Sequence, residues 1–281
     1  MALVEYSVPV DPTDLFGDDQ RALMVRSVLP AGRVVRLGHG LRGTTLSTFR
    51  PSCWLSDEPV DPSLWYAVAD APELAGFYPV LVPAVRISVD PQRWTGNHWP
   101  WGDDSLQQPP PRGTSSNLAD QVLAGAWARR LDSGVPVAFY EPFGSEWPGV
   151  AAPGMPQEPV ILDLAKWISG ARGREIGLCL VPADDGADAL ARMGWNGWGV
   201  DEGIVVASWQ ERFRVRLVWA DIGGQTLLFA VDAPPTDVDH ALRVAAEHVA
   251  LGTDEVGFDE DGLRGYASSI LGAREWWFWW D

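Results

Sequence analysis

The residues best equipped for chemistry outside any recognised motif gather in one stretch, Trp94-Thr-Gly-Asn-His-Trp-Pro-Trp-Gly-Asp-Asp104, which holds Trp94, His98, Trp99, Trp101, Asp103 and Asp104. Indoles supply flat apolar area with one N–H donor, carboxylates supply charge, and histidine titrates near neutral pH. That mixture suits two tasks. One is recognition of a basic protein or a polar cation by an aromatic, acidic surface, because tryptophan is enriched among interface anchors. The other is acid–base work by Asp103, Asp104 or Glu146 near His98 in a cleft, which needs separated carboxylates and no linear motif. The stretch has no apolar periodicity and sits in a Pro- and Gly-rich insert over residues 90–117 that also carries Pro109-Pro-Pro111. Loops of that length usually serve a function or stay unstructured. A structural role competes with both: the loop folds down and its indoles fill the space between two halves of the chain. A row of exposed rings binding polysaccharide is a third use of the same residues.

Other chemistries lack their residues. Gly194, Gly197 and Gly199 run Gly-x-x-Gly-x-Gly after an expected helix, so neither the spacing nor the strand-to-helix context of a dinucleotide fingerprint is present. No Gly-Lys-Ser/Thr occurs, since the lone lysine is Lys166 in Ala165-Lys-Trp. The histidines are His39, His98, His240 and His248; the last two would lie about 80° apart around a helix, poor for sharing a metal. Setting Gly262 as the sixth position of a calcium loop places Gly257 first and Ser268 twelfth, and neither is a ligand. There is no Gly-x-Ser-x-Gly elbow, and no base is tied by spacing to Ser145. The expectation is therefore no catalytic residue, no metal and no cofactor.

The elements that must position these residues follow from apolar spacing. Arg33–Leu37 and Leu41–Phe49 suggest a hairpin about Gly38-His-Gly40, and Asp61–Ala69 a helix followed by a strand at Phe77–Val82. Leu118, Val122, Leu123 and Trp127 form a stripe that Asn117 would cap. Val135–Tyr140 reads as a strand, Glu141–Pro159 as a Pro/Gly-rich passage and Ile161–Ile168 as a short helix or strand-to-helix transition. Beyond Gly170–Gly173 come a strand at Ile176–Val181, a helix with Asp184, Asp185 and Asp188 at its positive end, and a helix through Ile204–Phe213. A hairpin of Arg214–Trp219 with Leu227–Val231 follows. Thr236 opens a helix to about Ala250, on which His248 would bond a neighbouring strand and Glu247 point elsewhere. Gly262–Leu271 reads as a last short helix, and five aromatics at Trp276–Trp280 read as a strand buried on both faces. The pattern is α+β: a mixed, largely antiparallel sheet with helices packed on it, plus the irregular Pro/Gly/Trp-rich insert. It divides as 1–170, bearing the insert, and 171–281.

Charge narrows the partners. With 281 residues, 21 Lys+Arg and 38 Asp+Glu, the formal charge is −17, which argues against nucleic acid and anionic membrane surfaces. No basic n-region or membrane-length apolar run is present, so the expected location is the cytoplasm. Cys53 and Cys179 indicate no disulfide framework, and Cys179 lies in an apolar run where a thiol is inert. Sixteen tryptophans exceed ordinary composition, and Trp127, Trp167, Trp209 and Trp219 fit core faces.

Glu146-Trp-Pro-Gly-Val, Gly177-Leu-Cys-Leu-Val-Pro182, Ala189-Leu-Ala-Arg-Met-Gly-Trp195, Ser208-Trp-Gln-Glu-Arg-Phe213, Ala245-Ala-Glu-His248 and the terminal Trp277-Phe-Trp-Trp-Asp281 together resemble an uncharacterised bacterial family, domain of unknown function 4253. Gly76-Phe-Tyr-Pro-Val-Leu81 resembles an upstream element of it. The resemblance implies a bacterial α+β module and no established chemistry. One departure is that Leu251-Gly-Thr-Asp254 stands where the family has a Cys-Pro-Asp step. The expected function is a non-catalytic binding or regulatory module for a basic protein partner, of the immunity type for instance. The alternative is an enzyme of unrecognised type built on the carboxylates and His98.

Overall fold

A computed structural model describes residues 13–16, 27–36, 51–83, 116–132, 134–164, 175–193, 202–220, 226–252 and 262–280. In chain order they form helix α1 (Thr13–Phe16), strands β1 (Gly32–Arg36) and β2 (Pro51–Ser56), helix α2 (Leu64–Ala69), strand β3 (Tyr78–Pro83) and helix α3 (Ser116–Leu131). Strand β4 (Ile176–Val181), helices α4 (Gly186–Arg192) and α5 (Glu202–Phe213) and strands β5 (Val215–Ala220) and β6 (Thr226–Val231) come next. Helices α6 (Val238–Leu251) and α7 (Gly262–Ile270) and strand β7 (Glu275–Trp279) complete the series. The class is α+β with mixed, mostly antiparallel strand pairing. None of the described helices is long and apolar enough to cross a membrane.

The chain separates into two compact units, each assembled from distant stretches: Met1–Gln108, Asp163–Trp195 and Val218–Gly224 in one, Pro109–Leu162, Asn196–Leu217 and Gln225–Asp281 in the other. The expected linear boundary at 170–173 falls outside the described residues. In the first unit the strands run β1-β2-β4-β3, with the end of β5 beside β3. β3 and β4 are antiparallel from Tyr78↔Val181 to Pro83↔Ile176, and Leu81↔Trp219 is a parallel pair. Both β3 and β4 are apolar almost throughout because both faces are covered. Trp65 of α2 is buried and donates its indole N–H to Pro79 O at 2.8 Å. Gly32 of β1 has no side chain because a Cβ there would fall 2.1 Å from the Trp54 ring. Cys53 and Cys179 are free and buried on neighbouring strands. The hydrogen bond between their thiols, then burial, holds Cys179 well above the ordinary thiol pKa. The two cysteines, distant in sequence, lie side by side in the fold.

In the second unit β5, β6 and β7 are neighbours in that order, and α3 packs on α5 and α6 while α7 packs on α6. Trp209, Phe229, Trp276 and Phe278 make its aromatic centre, with Trp209 stacked on Phe278 at 5.3 Å and edge-on to Trp276 at 5.5 Å. α6 starts one residue later than Thr236 suggested: Asp237 is the cap, its carboxylate accepting from His240 N at 2.9 Å.

Several other expectations are corrected. Val137–Tyr140 is a 3-10 turn rather than a strand, because Pro136 and Pro142 bracket the run too closely for a ladder and Tyr140 turns in to meet Trp127 at 5.0 Å. β1 pairs with Pro51–Ser56, and the expected partner Leu41–Phe49 lies outside the described residues. β7 is not buried on both faces. Trp276 and Phe278 point into the core, while Trp277 is half-buried and Trp279 is 37% exposed, since β7 is last in the strand order and pairs with β6.

Candidate functional site

Trp94, His98, Trp99, Trp101, Asp103 and Asp104 lie outside the described residues. Glu146, their expected companion, is exposed on a turn. Ionisable groups converge instead between α5 and α6 of the second unit. On α5, Ser208, Trp209 and Arg212 fall at spacings of one, three and four, which puts Arg212 over Ser208 and beside Trp209 on one face. On α6, Glu247 follows Ala245 and Ala246, whose small side chains allow a close approach.

Glu247 is wholly buried, and all its acceptor capacity is engaged. One carboxylate oxygen takes Arg212 Nη1 at 2.7 Å and Ala151 N at 2.6 Å; the other takes Arg212 Nη2 at 2.6 Å and Trp209 Nε1 at 2.7 Å. Two further Arg212 N–H groups go to Ser208 Oγ at 3.0 Å and Ala151 O at 2.9 Å. This is the two-pronged geometry in which arginine binds a carboxylate best, and burial without it would cost several kcal/mol per ion. Glu247 thus points at Arg212, correcting the expectation that it turns away.

His248, one residue on, faces the aromatic centre, with ring centroids 4.6 Å from Trp276, 4.8 Å from Phe278 and 5.0 Å from Trp209. Its Nδ1 lies 2.9 Å from the Tyr266 hydroxyl, so its partner sits on helix α7 rather than on a strand. Nε2 of His248 and Nε1 of Trp276 have no hydrogen-bond partner among the described residues. Burial first, and the Arg212 charge second, push the imidazole down to about 3, so it is neutral at pH 7.

A strap of backbone, residues 147–160, closes over the pair. Trp147 Nε1 and Val150 N donate to Asp120 Oδ1 of α3 at 2.8 and 3.1 Å. Arg243 binds Pro148 O, and His240 Nε2 lies 2.8 Å from Ala152 O. Gly154 N donates to Arg212 O at 2.9 Å and Gln157 N to Asp232 O at 2.8 Å. Asp232 in turn accepts Val160 N at 2.8 Å and pairs with Arg216 at 2.9 Å, while Arg274 binds Glu158 O and the Gln157 side chain. No group of three or more His, Cys, Asp or Glu suited to a metal occurs among the described residues.

Composition pointed to the aromatic insert, and the Arg212–Glu247 pair was missed because its members are 35 residues apart. The available signal was a glutamate inside the apolar run Val244–Leu251 together with Trp209-x-x-Arg212 at helical spacing. Ser208–Phe213, Ala245–His248 and the terminal aromatics, quoted above for the family resemblance, are the segments that meet here. Residues 177–281 match the model of the family described as domain of unknown function (DUF4253). No curated protein and no solved structure matches the chain. The strap precedes the matched span.

Proposed function

We propose that the protein is a non-catalytic binding module that takes a basic protein partner. The observation that supports this most is the closure of the Arg212–Glu247 pair: four donors saturate the carboxylate and both side chains are shut from water, so this charge pair serves the fold. The acidic surplus of −17 is carried elsewhere, on groups such as Asp57, Glu58, Asp61 and Asp70 in the first unit and Asp237 and Asp239 in the second, all exposed. Such a surface speeds encounter with a cationic protein and rejects acidic ones. Titration calorimetry against a basic globular protein and an acidic control, at low and at physiological ionic strength, tests it. Saturable binding of the basic protein that weakens with salt is expected. Equal binding of the acidic control, or none of the basic one, removes the proposal.

A further inference from the structure

We infer that residues 151–160 form a preorganised polyproline-type ligand, displayed for a partner domain with an aromatic-lined groove and a basic rim. The inference rests on the binding-module proposal and names the element that would make the contact. Its basis is a period of three. The amides of Ala151, Gly154, Gln157 and Val160 all donate inward, to Glu247, Arg212 O, Asp232 O and Asp232 Oδ1. A strand would dock every second residue, whereas a polyproline helix has three residues per turn and docks every third.

The other two ridges of such a helix carry three dipeptides ending in proline: Ala152-Pro153, Met155-Pro156 and Glu158-Pro159. All six residues are exposed, and Met155 in the middle is 73% exposed. Proline lacks the N–H by which the inward residues dock, so the pattern sorts itself. Gly154 is required at its inward position, because a Cβ there would lie 1.9 Å from Ala233 O.

Proline-rich segments bind aromatic grooves because little chain entropy remains to be lost. Here that entropy is removed twice, by the prolines and by Arg212, His240, Arg274 and Arg216, which hold carbonyls of the strap from behind. Met155 offers an adaptable apolar anchor between two prolines. Glu158 in the third dipeptide and the net charge of −17 favour a groove with a basic rim.

The test uses the full chain labelled with ¹³C at its methionine methyl groups, of which there are 4. M155L assigns the Met155 signal, and buried Met193 serves as an internal reference. Purified SH3-, WW- and EVH1-type domains are titrated singly. At least one is expected to move the Met155 signal saturably and leave Met193 in place, with affinity falling about tenfold in P156A. Pro156 is exposed, so P156A is expected to keep the wild-type circular dichroism; if it does not, M155E provides the same loss of binding. The inference is overturned if no domain of the three types moves the Met155 signal, or if binding survives the combined P153A, P156A and P159A changes. A basic protein that binds while the Met155 signal stays still removes the strap and leaves the binding-module proposal standing; absence of any binding removes both.

Discussion

Glu247 and Arg212 show how a buried charge becomes a structural part. Glu247→Gln leaves the guanidinium charged and unopposed away from water, with an expected loss of about 3–5 kcal/mol in urea unfolding. The pair Arg212→Met with Glu247→Leu removes both charges and is expected to lose less than either change alone. His248 adds a pH dependence of defined sign. Its folded-state value of about 3 lies below the unfolded 6.5, so between those values the unfolded chain binds the extra proton. The stability from neutral His248 is complete above pH 6.5 and drains away as pH falls toward 3, with a slope of up to about 1.4 kcal/mol per pH unit. Urea titrations between pH 7 and pH 5, where most carboxylates stay ionised, are expected to show that slope in the wild type and its loss in His248→Phe. A flat wild-type profile would contradict the burial of a neutral imidazole. Nothing in the sequence around Ala245-Ala-Glu-His248 distinguishes a solvated Glu-His step from this one. What distinguishes them is the arrival of Arg212 from another helix.

Among the elements, the strap departs furthest from ordinary secondary structure while being held at almost every turn. Hydrogen exchange followed amide by amide is expected to protect Ala151, Gly154, Gln157 and Val160 above Ala152, Met155 and Glu158. Alternating or uniform protection would exclude the three-residue period. Gly154→Ala pushes a methyl group into the Ala233 carbonyl and is expected to cost about 1–3 kcal/mol and to erase protection at Gln157 as the strap lifts. The prolines at 153, 156 and 159 are plain in the sequence, where Glu141–Pro159 reads as a Pro/Gly-rich passage. Their docking was hidden, because a polyproline helix has no internal hydrogen bonds and its inward partners come from α5, α6 and the segments flanking β6. Helices α4 and α6, by contrast, were legible to within a residue or two, since caps and apolar stripes are local.

At the scale of the molecule, the charge of −17 opposes compaction through self-repulsion while discouraging association with other acidic chains. Added sodium chloride, from about 0.02 M to about 0.2 M, is expected to raise the thermal midpoint, because the Debye length shortens below the spacing of surface charges. A fall over that range would mean that attractive pairs such as Arg216–Asp232 outweigh the repulsion. Net charge, tryptophan content, helix stripes and the apolar strands β3, β4 and β6 follow from composition and local spacing, so the sequence alone determined them and with them the α+β class. Tertiary structure decided the β1-β2-β4-β3 order, the Cys53–Cys179 adjacency and the choice of Glu247 as partner for Arg212. It also decided which face of the proline run turns outward. Those facts join residues tens of positions apart, and periodicity, a property of neighbours along the chain, carries no information about which distant group will close a hydrogen bond.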